Sequence, residues 1–146
     1  MIHVIGDNRQ DLHAVDVDRW QELAATVLEA EGVDGEVELN LAFVDRVEMT
    51  TLNVEHMGGT EATDVLSFPL DDDSSPLFEG QPRLLGDIVI CPELVHQQAP
   101  GEPADEMALM VIHGVLHILG MDHAEPTEAA EMKATEHRHL AAWRAA

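Results

Sequence analysis

The sequence predicts one α+β domain, in which a mixed sheet of about four strands is covered by helices. Two observations support this fold class. Short apolar or alternating runs typical of strands are interspersed with longer segments whose apolar residues recur at helical spacing. The resulting order, β-α-β-α-β-β-α-α, is that of a layered mixed domain. At 146 residues and 45% apolar content, the chain is long enough for a core, and without repeats or a linker, residues 1–146 are expected to form a single domain.

The first half of the chain is predicted to alternate strands with helices. Residues 2–5 form a short apolar strand, and residues 37–43 alternate apolar and polar side chains as in a half-buried strand. The intervening helix starts near Asp16 and ends at Gly32, and its apolar face comprises Trp20, Leu23, Ala24, Val27 and Leu28. A second helix is predicted over about 45–57, because Gly58-Gly59 follows it as a stop signal.

The second half is predicted to contain two strands and then two helices. Strands at 65–68 and 85–90 flank an acidic loop, in which the run 71–73 favours a solvated turn over a cation site. A helix starting at Pro103 is apolar around most of its circumference, which indicates burial on nearly all sides. The last helix covers about 126–143, and its His137 and His139 are expected to be in solvent.

Three histidines near the C-terminal end have the spacing of a zinc site. His113 and His117 are four residues apart and share one face of the buried helix. Gly120 can adopt positive φ, end the helix and return His123 to the same ion. Single core histidines are common, but three at this spacing favour one Zn²⁺ per chain. Three protein ligands leave a position for water, as in catalytic zinc sites.

The same spacing occurs in the long metzincin motif of zinc peptidases, but the general base of those enzymes is missing. There, glutamate follows the first histidine. Here the residue is Gly114, which cannot take a proton. The sequence therefore predicts a zinc site without the peptidase base.

Composition excludes several classes of site and of protein. The single cysteine, Cys91, excludes a disulfide framework and a cysteine-based zinc site. The N-terminal residues lack a basic stretch followed by an apolar one, and the most apolar run, 107–121, is too short for a membrane span. A cytoplasmic protein without a membrane partner is therefore expected. Net charge is −22, which argues against a free-standing nucleic-acid binder.

Three motifs in order resemble those of the YbeY family of bacterial endoribonucleases. The segment His113 to His123 is similar to the histidine signature of that family. Thr63-Asp64-Val65-Leu66-Ser67-Phe68-Pro69 and Leu85-Gly86-Asp87-Ile88-Val89-Ile90-Cys91 agree with two further family motifs, and Leu52-Asn53 fits the helix before them. The resemblance implies a zinc-dependent endoribonuclease that prefers single strands and acts in 16S ribosomal RNA maturation and ribosome quality control.

One position departs from the family pattern. An arginine often follows the Leu-Asn pair in the family and is thought to contact an RNA phosphate, whereas this chain has Met57. A thioether cannot neutralise a phosphate. Either Arg46 or Arg83 replaces that cation, or the nuclease activity is weaker or differently targeted.

Site roles follow from the chemistry and the resemblance together. His113, His117 and His123 are the predicted metal ligands, and the zinc ion would activate water or the RNA 2′-hydroxyl. Asp122 is a candidate for orienting a ligand imidazole, with a turn-capping role about equally favoured. Asp64 and Asp87 are candidates for orienting water or substrate, with the same structural alternative. Ser67 is expected to be structural.

Three functions of different classes are compatible with these residues. The first is the zinc endoribonuclease, with precursor 16S ribosomal RNA as substrate. The second is a zinc hydrolase of another substrate such as peptide, which Gly114 opposes. The third is a ribosome-biogenesis factor with a largely structural zinc, whose partner would be a ribosomal protein or a biogenesis GTPase.

Overall fold

A computed structural model describes residues 1–70 and 81–146 of the chain. The strands in these ranges are β1 (Ile2–Asn8), β2 (Val37–Phe43), β3 (Val65–Pro69) and β4 (Arg83–Ile90). The helices are α1 (Val17–Ala30), α2 (Arg46–Met57), α3 (Pro92–Gln98), α4 (Pro103–Ile118) and α5 (Pro126–Ala145). The aspartate run 71–73, which was predicted to be solvated, lies outside the described residues, as does most of the acidic loop that contains it.

The four strands form one mixed sheet in the order β1-β2-β4-β3. β1 and β4 both pair with β2 in parallel, and β3 pairs with β4 in antiparallel orientation. α1 supplies the long crossover that two adjacent parallel strands require. The predicted fold class, α+β with a four-stranded mixed sheet, is confirmed.

Each face of the sheet has its own apolar cluster, because successive strand residues point to opposite sides. Leu41, Ile88 and their neighbours on one face pack against α1 and α4. Ala42 and Val89 on the other face pack with Met49 of α2. α5 lies outside α4 and contacts it rather than the sheet. The histidine-bearing helix therefore lies between the sheet and α5.

α4 is the buried central helix that the sequence predicts. Pro103 is in its first turn, where a missing N–H costs nothing, and Asp105 and Glu106 complement the positive end of the helix dipole. Its buried residues include Val111 and Leu116, which are fully shielded from solvent. Burying a side chain of this size contributes about 1.5–3 kcal/mol. α4 therefore holds His113 and His117 on a rigid scaffold.

Two predictions about secondary structure and burial were wrong. The seven-residue helix α3 was missed, because it has too few residues for a periodic apolar pattern and depends on the burial of Pro92 and Val95. His139 was expected in solvent but is buried, with 8% of its surface exposed. Its Nε2 lies 2.7 Å from Oε2 of Glu31, so the carboxylate of the residue that caps the C-terminal end of α1 satisfies the buried imidazole. His137 is exposed as predicted.

No helix in residues 1–70 and 81–146 has both the length and the apolarity needed to cross a membrane.

Candidate metal centre

A tight turn after α4 brings the third histidine back toward the first two. Gly120 has φ +98°, a conformation that side-chain-bearing residues rarely adopt. Its N–H donates to the carbonyl of His117 at 3.0 Å, and the N–H of Met121 donates to the carbonyl of Leu116 at 3.0 Å. These two bonds form a Schellman motif, which satisfies the last carbonyls of the helix. The role predicted for Gly120 is confirmed.

His113, His117 and His123 form a cluster positioned to bind one metal ion. The ring centroids are 5.0 Å apart for His113 and His117, 5.8 Å for His113 and His123, and 5.3 Å for His117 and His123. One ligand atom from each residue lies within 4.8 Å of the other two. A set of three imidazoles suits zinc, copper, iron or nickel rather than calcium or magnesium. The donor set therefore fits a transition-metal ion.

The surroundings of His117 keep its ring in the form that binds metal. Burial lowers the pKa of His117, and the positive charges that His113 and His123 could carry lower it further. Asp122 opposes this effect because its negative charge raises the same pKa. A metal ligand must be a neutral imidazole. The lowered pKa means that His117 need not release a proton before it binds metal at neutral pH.

Glu136 contacts the histidine cluster and was missed by sequence reasoning. Its carboxylate on α5 is hydrogen-bonded to Nδ1 of His113, which leaves Nε2 of that ring for a metal. Carboxylate partners of this kind fix the orientation and tautomer of metal-binding histidines. A signal was present in the sequence, because Glu136 comes four residues after Met132 and shares the inward face of α5.

A cavity of about 170 Å³ adjoins the three histidines, and we call it the β3 cavity. Its other walls come from Met57 at the end of α2 and from Val65, Leu66 and Ser67 on β3. The Ser67 hydroxyl donates to the carbonyl of Gly114 at 3.3 Å, which ties β3 to α4. The position of Ser67 thus agrees with its predicted structural role.

Gly114 has a structural reason for lacking a side chain. A Cβ at this position would lie 2.7 Å from Cγ2 of Ile88 and 3.2 Å from its Cδ1. Ile88 is fully buried and β-branched, so it cannot move aside easily. The glutamate that serves as base in zinc peptidases would therefore meet the sheet at this position.

We expect Gly114→Ala to lower the free energy of unfolding by about 1 kcal/mol. Overpacking costs about 1–3 kcal/mol, and the better helix propensity of alanine offsets up to about 1 kcal/mol of that. Gly101→Ala is the matched control, because a Cβ there meets no atom within 4 Å. Denaturant titration measures both variants. If the stability of Gly114→Ala were unchanged, α4 and β4 could move apart to accommodate the added methyl group without a cost in free energy.

The three carboxylates that the sequence suggested for the site lie in three different environments. Asp122 accepts a hydrogen bond from the backbone N–H of His123 at 2.7 Å, so it caps the turn, and its charge also acts on His117. Asp64 precedes β3 and is not part of the wall of the β3 cavity. Burial raises the pKa of Glu106, and the negative charge of Asp64 raises it further. Asp87 accepts from Nδ2 of Asn40 at 2.8 Å. Catalytic roles for Asp122 and Asp64 stay predictions.

Neither arginine suggested from the sequence lies at the histidine cluster. Arg46 is at the start of α2, about 16 Å along the helix from Met57, and pairs with Glu93 at 2.8 Å. Arg83 begins β4, five residues before the partner of Ser67, which corresponds to about 16 Å. Met57 is half-exposed and adds no charge to the β3 cavity.

Comparisons with known proteins agree on one family. The family model described as endoribonuclease YbeY matches residues 5–144. A protein named endoribonuclease YbeY from Salinispora tropica is 45% identical over 140 residues, covering 89% of this chain and 89% of its own length. Its namesake from Thermobifida fusca is 41% identical, covering 88% and 86%. A solution structure of a Thermotoga maritima protein superposes with TM-score 0.63 at 26% identity, covering 99% of this chain and 93% of the other.

Proposed function

This chain belongs to the endoribonuclease YbeY family, and on that premise we propose that it is a zinc-dependent endoribonuclease specific for single-stranded RNA. The endoribonuclease role follows from the family. The metal, the strand preference and the residue roles are our proposal. The observation that carries it is the cluster of His113, His117 and His123, whose donor atoms lie within 4.8 Å of one another.

Zinc suits this cluster because three neutral imidazoles are the protein ligands of several catalytic zinc sites. When bound, zinc would supply Lewis acidity, which would polarise a phosphoryl oxygen and lower the pKa of water at the site. Each of the chain's own groups has a separate task. Glu136 orients His113, the lowered pKa of His117 keeps that ring neutral, and Asp122 holds the turn that carries His123.

The proposed substrate is the precursor of 16S ribosomal RNA, and the proposed setting is ribosome maturation and quality control in the cytoplasm. The net charge of −22 supports a role for a partner, because an acidic protein repels naked RNA at long range. A ribosomal protein or a biogenesis GTPase with a positive surface would bring the enzyme to its substrate. This recruitment is part of the proposal.

A second candidate function is a ribosome-biogenesis binding factor whose zinc is structural. The acidic composition and the uncharged Met57 in the β3 cavity favour it. Peptide hydrolysis is a weaker candidate, because the position of the peptidase base is Gly114, packed against Ile88.

A substrate panel separates these functions. Zinc-loaded protein is incubated with end-labelled single-stranded RNA, the corresponding RNA duplex, DNA of the same sequence, a precursor 16S transcript and casein. We expect chelator-sensitive cleavage of single-stranded RNA and of unpaired regions of the transcript. His117→Ala should be inactive, and His3→Ala should be active, because His3 is exposed on the edge strand β1 and interacts with Glu36.

Two outcomes would contradict the proposal. Casein cleavage that zinc restores and His117→Ala abolishes would identify a peptidase. Failure to cut any nucleic acid, with or without ribosomal subunits present, would favour the binding factor.

A further inference from the structure

A second cavity, of about 290 Å³, adjoins the histidine cluster on the side of α5, and we call it the α5 cavity. His113 and His123 are part of its wall, as they are of the β3 cavity. Its other charged or polar walls come from Lys133, Glu136 and His137 on α5. The two cavities therefore meet at the same pair of metal-binding side chains, and a linear substrate crossing the cluster would enter both.

Lys133 is the sole lysine of a chain that has only six arginines. Four of these arginines are occupied by partners: Arg9 by Asp7 and Glu48, Arg46 by Glu93 and Gln97, Arg144 by Asp105, and Arg19 by the rings of Trp20 and Trp143. Arg83 is at the start of β4 and is not part of the cavity wall, and Arg138 is on α5 but is not part of that wall either. Among the described residues, Lys133 alone brings a permanent positive charge to a cavity that contains the metal ligands.

The local sequence of α5 leaves the Lys133 ammonium available. The preceding turn contributes Ala129 and Ala130, which are too small to cover it and carry no charge. Lys133 forms no ion pair within 4 Å in residues 1–70 and 81–146, although acidic residues outnumber basic ones fourfold in the chain. Glu136 comes three residues after Lys133 in the wall of the same cavity, and its carboxylate is engaged by His113.

We propose that the α5 cavity is a phosphate subsite, in which Lys133 binds a backbone phosphate next to the one held at the histidine cluster. His137 follows Lys133 by four residues and is on the same helix face, so it can donate a second hydrogen bond. The ligand class is a phosphodiester of single-stranded RNA. The inference rests on the proposed function and adds to it the direction in which the strand leaves the cluster.

The test compares Lys133→Gln with Arg138→Gln, which removes the same charge from the same helix outside the cavity. Binding of a short fluorescein-labelled 2′-O-methyl RNA to the zinc-loaded protein is followed by anisotropy over a salt series. Log affinity falls with log salt by about 0.7 per phosphate neutralised in single strands. Lys133→Gln should reduce the slope by about 0.7 and weaken binding about fivefold at 0.1 M salt, while Arg138→Gln changes neither. Zinc content should be equal in all three proteins.

Equal losses in the two variants would overturn the subsite, since they would show only a long-range effect of net charge. An unchanged slope in Lys133→Gln, with RNA cleavage intact, would also overturn it and leave the proposed function standing. A wild-type protein that neither binds nor cleaves RNA would reject both. Lys133→Arg keeps the charge and should keep the wild-type slope, which separates phosphate binding from a packing role of the side chain.

Discussion

Replacing His117 with alanine is expected to abolish stoichiometric metal binding and to reduce RNA cleavage by about a thousandfold or more. The change removes one of the two partly buried donors of a cluster whose three ligand atoms lie within 4.8 Å of one another. Two imidazoles on a helix and an exposed turn hold an ion weakly. Loss of metal catalysis costs several kcal/mol of transition-state stabilisation, and each 1.36 kcal/mol is a factor of ten in rate.

Elemental analysis of the purified variant measures the first effect, and single-turnover cleavage of labelled RNA measures the second. His113→Ala and His123→Ala should behave alike, and His3→Ala should keep about one metal ion per chain. Thermal denaturation with and without added zinc provides an independent readout, because only proteins with a metal site gain stability from the ion. A His117→Ala protein with full metal occupancy would show that the cluster is wrongly assigned.

The second large effect is expected for Glu136→Gln, which should weaken metal affinity about 10–100-fold. The amide keeps the size of the carboxylate but removes the charge that holds Nδ1–H of His113, so the tautomer with Nε2 free is no longer favoured. Glu31→Gln is the matched control. It alters a similar carboxylate–imidazole pair, with His139, away from the cluster.

Competition with a chromophoric chelator measures affinity in both variants, and the visible spectrum of the cobalt-substituted protein reports ligand geometry. We expect a weaker affinity and an altered spectrum in Glu136→Gln alone. A purely structural role for Glu136 would instead lower thermal stability and leave chelator competition unchanged.

The parts of the metal centre that sequence predicts are those carried by local geometry. Two histidines four residues apart must share a helix face, and a glycine at the helix end permits the observed φ of +98°. The near-complete apolar coverage of α4 likewise predicts its burial on nearly all sides, and the structure places it between the sheet and α5. These features depend on residues close together in the chain.

The parts that sequence does not predict depend on packing between distant segments. Glu136 meets His113 across 23 positions, and His139 meets Glu31 across 108, so no local pattern identifies the partner in either pair. The expectation of solvated histidines on α5 was half right, because His137 is exposed and His139 is buried. Which face of α5 turns inward is decided by its contact with α1 and α4.

The distances of Arg46 and Arg83 from the histidine cluster also depend on how distant segments of the chain pack together. Both are plausible phosphate ligands by residue type, but strand register and helix length place each of them about 16 Å from the relevant wall of the β3 cavity. The α5 cavity, with Lys133 in its wall, forms only when α4 and α5 pack together.

The measurement that tests the central claim most directly is stepwise restoration of RNA cleavage to metal-stripped protein. Zinc is added in fractions of an equivalent, and cleavage of single-stranded RNA is followed at each step. If one ion held by His113, His117 and His123 is responsible, activity should rise linearly and level off at one equivalent. Cleavage that is unaffected by stripping, or that continues to rise well beyond one equivalent, would contradict the account.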